Sequence, residues 1–210
     1  MLFRSRPPNE NLPAKILKAS KKEFMEKGFH EASVRSIANS VGVTTGSIYR
    51  YYKNKDALFE ALVADPAKAL FDRYNKYSKT FSNHSLDRQL SILLNEEDTE
   101  IKELVNHLYK HYDAFKLIAC CAKGTSYEDY VEKLIEIETK SSLNLVNLMQ
   151  KEKNICHDID EQMIHIIAST YFTGIFEIIS HDENIEVATK HISLLQEFYT
   201  AGWYQILNLK

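Results

Sequence analysis

Beyond Pro13 the chain holds one further proline, Pro66, and it has only six glycines in 210 residues. A β-rich fold needs frequent turns, and turns draw on Gly and Pro for backbone angles that other residues resist. A chain this poor in both is left with long uninterrupted helices, and its apolar residues are spaced to match. Ile16 and Leu17, then Ser20, then Phe24 recur at the three- and four-residue steps of one helical face. The expected fold is all-α.

Local signals divide the chain. Residues 1–10 read as a basic arm carrying Arg4 and Arg6, and a first helix is expected from near Asn11 to Gly28, with Pro13 tolerated in its first turn. Ser33 is placed to cap a short helix from Val34 to Val41, Gly42 supplies a turn that favours positive φ, and Thr44 is placed to cap a third helix, about Thr45 to Tyr51. Asn54 caps a fourth, running to about Ser78 with a bend at Pro66. Further helices are expected near 86–94, 99–112 and 114–122. Ser126 with Asp129, and Asp158 with Glu161, read as capping boxes that open helices to about Lys151 and Ser180; Asn184 caps the last, to about Asn208.

Charge separates a head from a body. Residues 1–55 carry 11 Lys/Arg against 4 Asp/Glu, a balance of +7, while residues 56–210 carry 15 against 25, a balance of −10. A basic end on an acidic body suits a polyanion bound at that end alone. No apolar run reads as a membrane span, and the start MLFRSRPPNE lacks the apolar stretch of a secretory signal. The three cysteines have no metal-type spacing, so reduced thiols in a cytoplasmic protein are expected.

Residues 34–52 carry the most specific pattern. Two short helices that cross closely need a small residue at the contact, a turn residue that accepts positive φ, and an apolar anchor in the second helix; Ala38, Gly42 and Ile48 meet those needs in order. Such short helices are too marginal to stand unaided. An ordinary helical hairpin in a core is the alternative, but Thr45, Ser47, Tyr49, Arg50, Tyr52 and Lys53 fall on the outward side of the third helix. Hydroxyls, aromatics and cations on a short helix fit a DNA major groove. Lys55, in the first turn of the fourth helix, opposes the helix dipole, and a docked phosphate would explain it.

Residues 16–58 resemble the N-terminal domain of TetR/AcrR-family regulators in Ile16-Leu17, Phe24, Gly28-Phe29, Val34, Ile37-Ala38, Gly42-Val43, Ile48-Tyr49, Tyr51-Tyr52, Lys55 and Leu58. The resemblance implies a three-helix DNA-binding head (1–55) and a helical ligand-binding and dimerisation body (56–210). It implies phosphate contacts at Ser33 and Lys55, and a phosphate or base contact at Tyr51. A groove surface would comprise Arg35, Thr44, Thr45, Gly46, Ser47, Tyr49 and Arg50. Arg4 and Arg6 extend that surface if the arm is ordered.

In the body, the segment 161–180 is apolar on nearly every side, and a helix apolar all round must be buried all round. A second subunit is expected to cover what the chain's own core does not, at Ile167, Ile175, Ile178, Ile179, Leu195, Phe198, Tyr199 and Trp203. The resulting homodimer would match a palindromic operator in double-stranded DNA. Tyr109, Tyr112, Phe115, Tyr127, Tyr130, Tyr171, Phe172 and Phe176 could line an aromatic pocket for a small effector or simply pack the core. Glu103, His107 and His111 share a helix face at ligand spacing, but a solvated or pocket-rim face is the preferred reading and no metal is expected there. Around Cys156, His157, Asp158 and Asp160, capping accounts for the acids. Cys120-Cys121 read as small buried hydrophobes. With no nucleophile–base pair and no phosphate loop, neither an enzyme nor a cofactor is expected. The functional expectation is a repressor released by a hydrophobic or aromatic ligand, and the alternative is a constitutive DNA-binding adaptor that recruits a protein.

Overall fold

The computed structural model describes residues 12–94, 99–153, 159–181 and 184–209. The basic arm, with Arg4 and Arg6, and Cys156, His157 and Asp158 lie outside the described residues.

Ten helices and no strand are found among the described residues: α1 (Leu12–Glu31), α2 (Val34–Val41), α3 (Thr45–Tyr49), α4 (Lys55–Ser82), α5 (Leu86–Leu94), α6 (Thr99–Lys110), α7 (Tyr112–Cys121), α8 (Tyr130–Lys153), α9 (Glu161–Ser180) and α10 (Ile185–Ile206). The boundaries follow local chemistry. Asn54 Oδ1 accepts the Ala57 N–H at 2.7 Å to start α4, and Asn184 Oδ1 accepts that of Val187 at 3.0 Å to start α10. Two expected caps are displaced. Asp160, not Asp158, opens α9 by accepting the Met163 N–H at 2.8 Å. The box at Ser126 and Asp129 does not form, because the Ser126 N–H goes to Asp56 and the Thr125 hydroxyl takes the Tyr127 N–H, so that α8 begins only at Tyr130.

Helix α4 continues through Pro66 to Ser82, a turn past its expected end. It is the joint of the molecule, packing on α1 at one end and on α7 and α8 along its length. The buried core runs without interruption from Ile16, Phe24 and Ile48 through Leu58 and Phe59 to Phe115, Phe172 and Phe176. A smaller cluster of Leu86, Leu90, Leu145, Met149, Ile164 and Leu207 closes the far end.

By length and composition α9 could cross a membrane, with a mean hydropathy of 1.4 over 18 residues, contrary to the expectation that no segment would qualify. In the fold it lies against α7, α8 and α10. Only 33% of that stretch is buried within one copy.

Candidate nucleic-acid interface and effector cavity

The head is assembled around Phe24, which meets Phe59 edge-on at 5.4 Å and stacks on Phe29 at 5.8 Å. Phe29 can fold back because Gly28 adopts φ +71°, a region costly for any residue with a Cβ. In the next turn Gly42 has φ +71°, which lets the N–H groups of Gly42 and Val43 close on the carbonyls of Asn39 and Ala38. Ala38 and Ile48 are sealed between α2, α3 and the core, as their spacing requires. Thr44 Oγ1 accepts the Ser47 N–H at 3.2 Å and lies 3.0 Å from the Ser47 hydroxyl, so these two hydroxyls brace α3 as well as facing outward.

Two contacts in the head reach across the sequence. Glu23, buried, accepts the Ser33 N–H at 3.1 Å, the Ser36 hydroxyl at 2.9 Å and the Lys27 ammonium at 2.8 Å. Burial pushes its carboxyl up, but the bonds from Lys27, Ser33 and Ser36 outweigh that, and it titrates below its usual range. Glu23 therefore caps α2. Ser33 occupies the N-cap position without capping it, and its exposed side chain faces away from that task.

Lys55 makes the second contact. Its ammonium donates to the carbonyls of Phe29 (2.6 Å), His30 (3.1 Å) and Ala32 (3.1 Å), with the Phe29 ring centroid 4.4 Å away. An ammonium has three N–H donors, and all three are taken. The cation that opposes the dipole of α4 is thus neutralising the carbonyl end of α1. The dipole argument for a phosphate contact at Lys55 gives way to this structural role.

The outward surface of α3 remains. Tyr49 and Tyr51 are 49% and 50% exposed, large values for aromatics. Arg35, Gly46, Arg50 and Lys53 are exposed, and Thr45 and Ser47 are half-buried. Among the described residues no ion pair engages Arg35, Arg50 or Lys53. Tyr52, expected outside, turns inward against the core, and burial pushes its phenol up. Gly46 is not sterically demanded, since an added Cβ would meet only Thr44 at an ordinary 3.7 Å.

In the body a cavity of about 200 Å³ is walled by α4, α8, α9 and α10, with Leu93 of α5 and Leu104 of α6 at its edge. Of the eight aromatics expected in a pocket, only Tyr171 lines it. Tyr112 and Tyr130 spend their hydroxyls on the carbonyls of Ile179 and Ala67, both at 2.8 Å, and are satisfied core residues. Phe115, Phe172 and Phe176 are buried in the main core, Tyr127 packs beside Phe59, and Tyr109 packs on Tyr112. The true lining includes Arg73, Tyr74, Tyr77, Phe81, Glu138, Ser142, Gln196 and Thr200, which the sequence reading missed. Their signal was a polar residue on an otherwise apolar helix face, as with Glu138 between Ile135 and Leu145.

The expected interface residues are likewise redistributed. Ile175 and Ile179 are buried in their own chain, Ile178 and Leu195 pack on its core, and Ile167, Tyr199 and Trp203 line the cavity. Phe198 alone stands out, at 72% exposure, one turn from Leu194 at 52%; on α9, Met163 and Ile166 are exposed as well. The other constellations have local explanations. Glu103 pairs with Arg73 at 2.6 Å, and His107 bonds the Pro66 carbonyl at 3.1 Å, with the ring of His111 at 5.1 Å. Cys120 is exposed; Cys121 is buried, and burial pushes its thiol up to about 11.

Residues 16–62 match the model of bacterial regulatory proteins of the TetR family. Those residues are a TetR-family DNA-binding domain. Residues 16–62 therefore supply the helix-turn-helix of TetR-type DNA-binding transcription regulators. The chain is 29% identical over 188 residues to the nucleoid occlusion factor SlmA of Mannheimia succiniciproducens, a match covering 81% of this chain and 82% of that protein. It is 27% identical over 116 residues to the fatty acid metabolism regulator protein of Bacillus subtilis, covering 46% of this chain and 60% of the relative. A 41% match to the B. subtilis regulator YdgC is confined to 51 residues, 24% of this chain and 26% of that protein. Among solved structures, NalD of Pseudomonas aeruginosa, a repressor of a multidrug efflux pump, superposes with a TM-score of 0.56 at 19% identity, over 92% of this chain and 98% of NalD. FadR of B. subtilis in complex with stearoyl-CoA gives 0.50 at 16% identity, over 90% and 98%. At such identities the TetR-family likeness to these structures is one of fold.

Proposed function

We propose that this protein is an effector-responsive TetR-family repressor acting in the cytoplasm. In this reading a homodimer reads a palindromic operator with α2 and α3 of each head (residues 1–55), and a small, largely apolar effector in the body releases it. Arg35, Tyr49, Arg50, Tyr51 and Lys53 face the DNA, with Thr45 and Ser47 beside them; Ser33 meets phosphate. The exposed apolar residues of α9 and α10 meet their counterparts on a second copy.

One observation carries the reading. Helix α4 walls the effector cavity at Tyr74 and Tyr77 and also holds the head through Lys55 on the last carbonyls of α1. A ligand that fits one tilt of α4 better than another must then bias the head, and only that difference in affinity can drive the switch. The adaptor reading draws on the name of the nucleoid occlusion relative, but it leaves a cavity with polar groups inside it unexplained.

Footprinting on the DNA upstream of the protein's own gene tests the proposal. Protection of two inverted half-sites about 34–36 Å apart is expected. Protection without symmetry, or sequence-independent coating, would count against it.

A further inference from the structure

We propose that the effector cavity is built for a lipophilic cation, an organic ammonium with an apolar tail, with Glu138 as its counter-ion. The inference rests on the effector reading above and narrows it to a chemical class.

Glu138 lines the cavity from α8. Its oxygens accept hydrogen bonds from two neutral hydroxyls, those of Tyr74 and of Ser142, the latter at 2.9 Å. Among the described residues no cation pairs with it. Arg73, the cationic residue of the lining, is engaged by Glu103 at 2.6 Å. Hydroxyls satisfy two of roughly four lone-pair directions of a carboxylate and leave its charge uncompensated. Holding a charge in a partly dry cavity is costly without an opposite charge, so a site that keeps one is prepared to receive the partner. The Tyr74 phenol beside Glu138 is pushed well up, by burial first and by the Glu138 charge second.

The rest of the lining points the same way. Tyr74, Tyr77, Tyr171 and Trp203 surround the space with aromatic rings, whose faces attract a cation, more strongly where water is excluded. Leu145 and Ile167 offer apolar surface for a tail. A carboxylate or phosphate head placed here would face Glu138 with like charge, which disfavours a fatty acid or acyl-CoA in this position.

Trp203 is the only tryptophan of the chain, so its fluorescence reports on the cavity directly. Three probes with one tail and different heads separate the possibilities: decyltrimethylammonium, 1-decanol and decanoate. The expected order is ammonium tightest, by about tenfold over the alcohol, with decanoate weakest. In Glu138→Gln, which keeps an acceptor for the two hydroxyls, the preference for the ammonium should vanish while decanol binds as before. Unchanged decanol binding shows that the variant is folded; should it not fold, the order in the wild type decides alone. Decanoate binding tightest, or an ammonium preference that survives Glu138→Gln, overturns the proposal. Failure of all three probes to move Trp203 overturns it together with the cavity itself. If the ammonium binds through Glu138 and operator affinity does not change, the assignment of ligand class stands and the release mechanism falls.

Discussion

Lys55 and Glu23 do for the head what sequence-local caps do elsewhere. Lys55 closes the carbonyl end of α1 from 23 to 26 residues away, and Glu23 closes the N–H end of α2 from ten residues away. If Lys55 only positions the head, Lys55→Ala should lower operator affinity without altering the slope of log K against log salt. It should also cost about 1–2 kcal/mol of stability, the lower part of the range for charged hydrogen bonds because the lysine is half-exposed. Arg50→Ala should instead reduce the slope by about 1 if that side chain meets phosphate. A slope change in the lysine variant would restore its phosphate contact. Glu23 gives a pH test. Its carboxyl is lowered in the fold, so its contribution is full above the ordinary carboxylate range and is lost as pH falls through the lowered value. Denaturant unfolding of Glu23→Gln should therefore show a shallower loss of stability on acidification than the parent protein. Thr44, Asn54 and Gly42 were legible beforehand because their partners lie within four residues. Glu23 and Lys55 were not, because their partners are set by how α1 returns against α2 and α4.

At the level of helices, periodicity tells which side of an element is buried but not which element covers it. This is why Tyr112 and Tyr130, expected in a pocket, are core residues with their hydroxyls on main-chain carbonyls, while the cavity opened instead beside Tyr74 and Glu138. The same limit hid the role of His107. A histidine at ligand spacing from His111 turns out to pin α6 to α4 at the Pro66 carbonyl. Its imidazole is lowered, chiefly by burial. The unfolded chain therefore takes up the proton first, and stability falls as pH descends from the ordinary histidine value toward the lowered one. Following unfolding between about pH 7 and pH 5 in His107→Gln should show that component removed; an identical profile would mean that the contact does not depend on the ring's charge.

Taken as a whole, the molecule joins a basic reading end to an acidic body through one continuous core, and it leaves several large apolar side chains of its last two helices uncovered. Phe198 and Leu194, one turn apart on α10, would sit in water in a single copy, as would Met163 and Ile166 on α9, and exposed apolar surface of this kind marks association surfaces. Phe198→Glu should convert a dimer to a monomer in sedimentation at micromolar concentration. Loss of a central aromatic anchor typically costs about 2–4 kcal/mol of association. A sequence can declare that α9 is too apolar to be solvated; only the fold distinguishes Ile175 and Ile179, sealed in their own core, from the residues left for a partner.

The account stands on the outward face of α3 entering the groove of a duplex. Replacing Tyr49 with the photoreactive residue p-benzoylphenylalanine and irradiating the operator complex tests this most directly. The account predicts crosslinks to bases in both half-sites and none to a duplex of scrambled sequence. Crosslinks that form only to protein, while the operator remains bound, would contradict it.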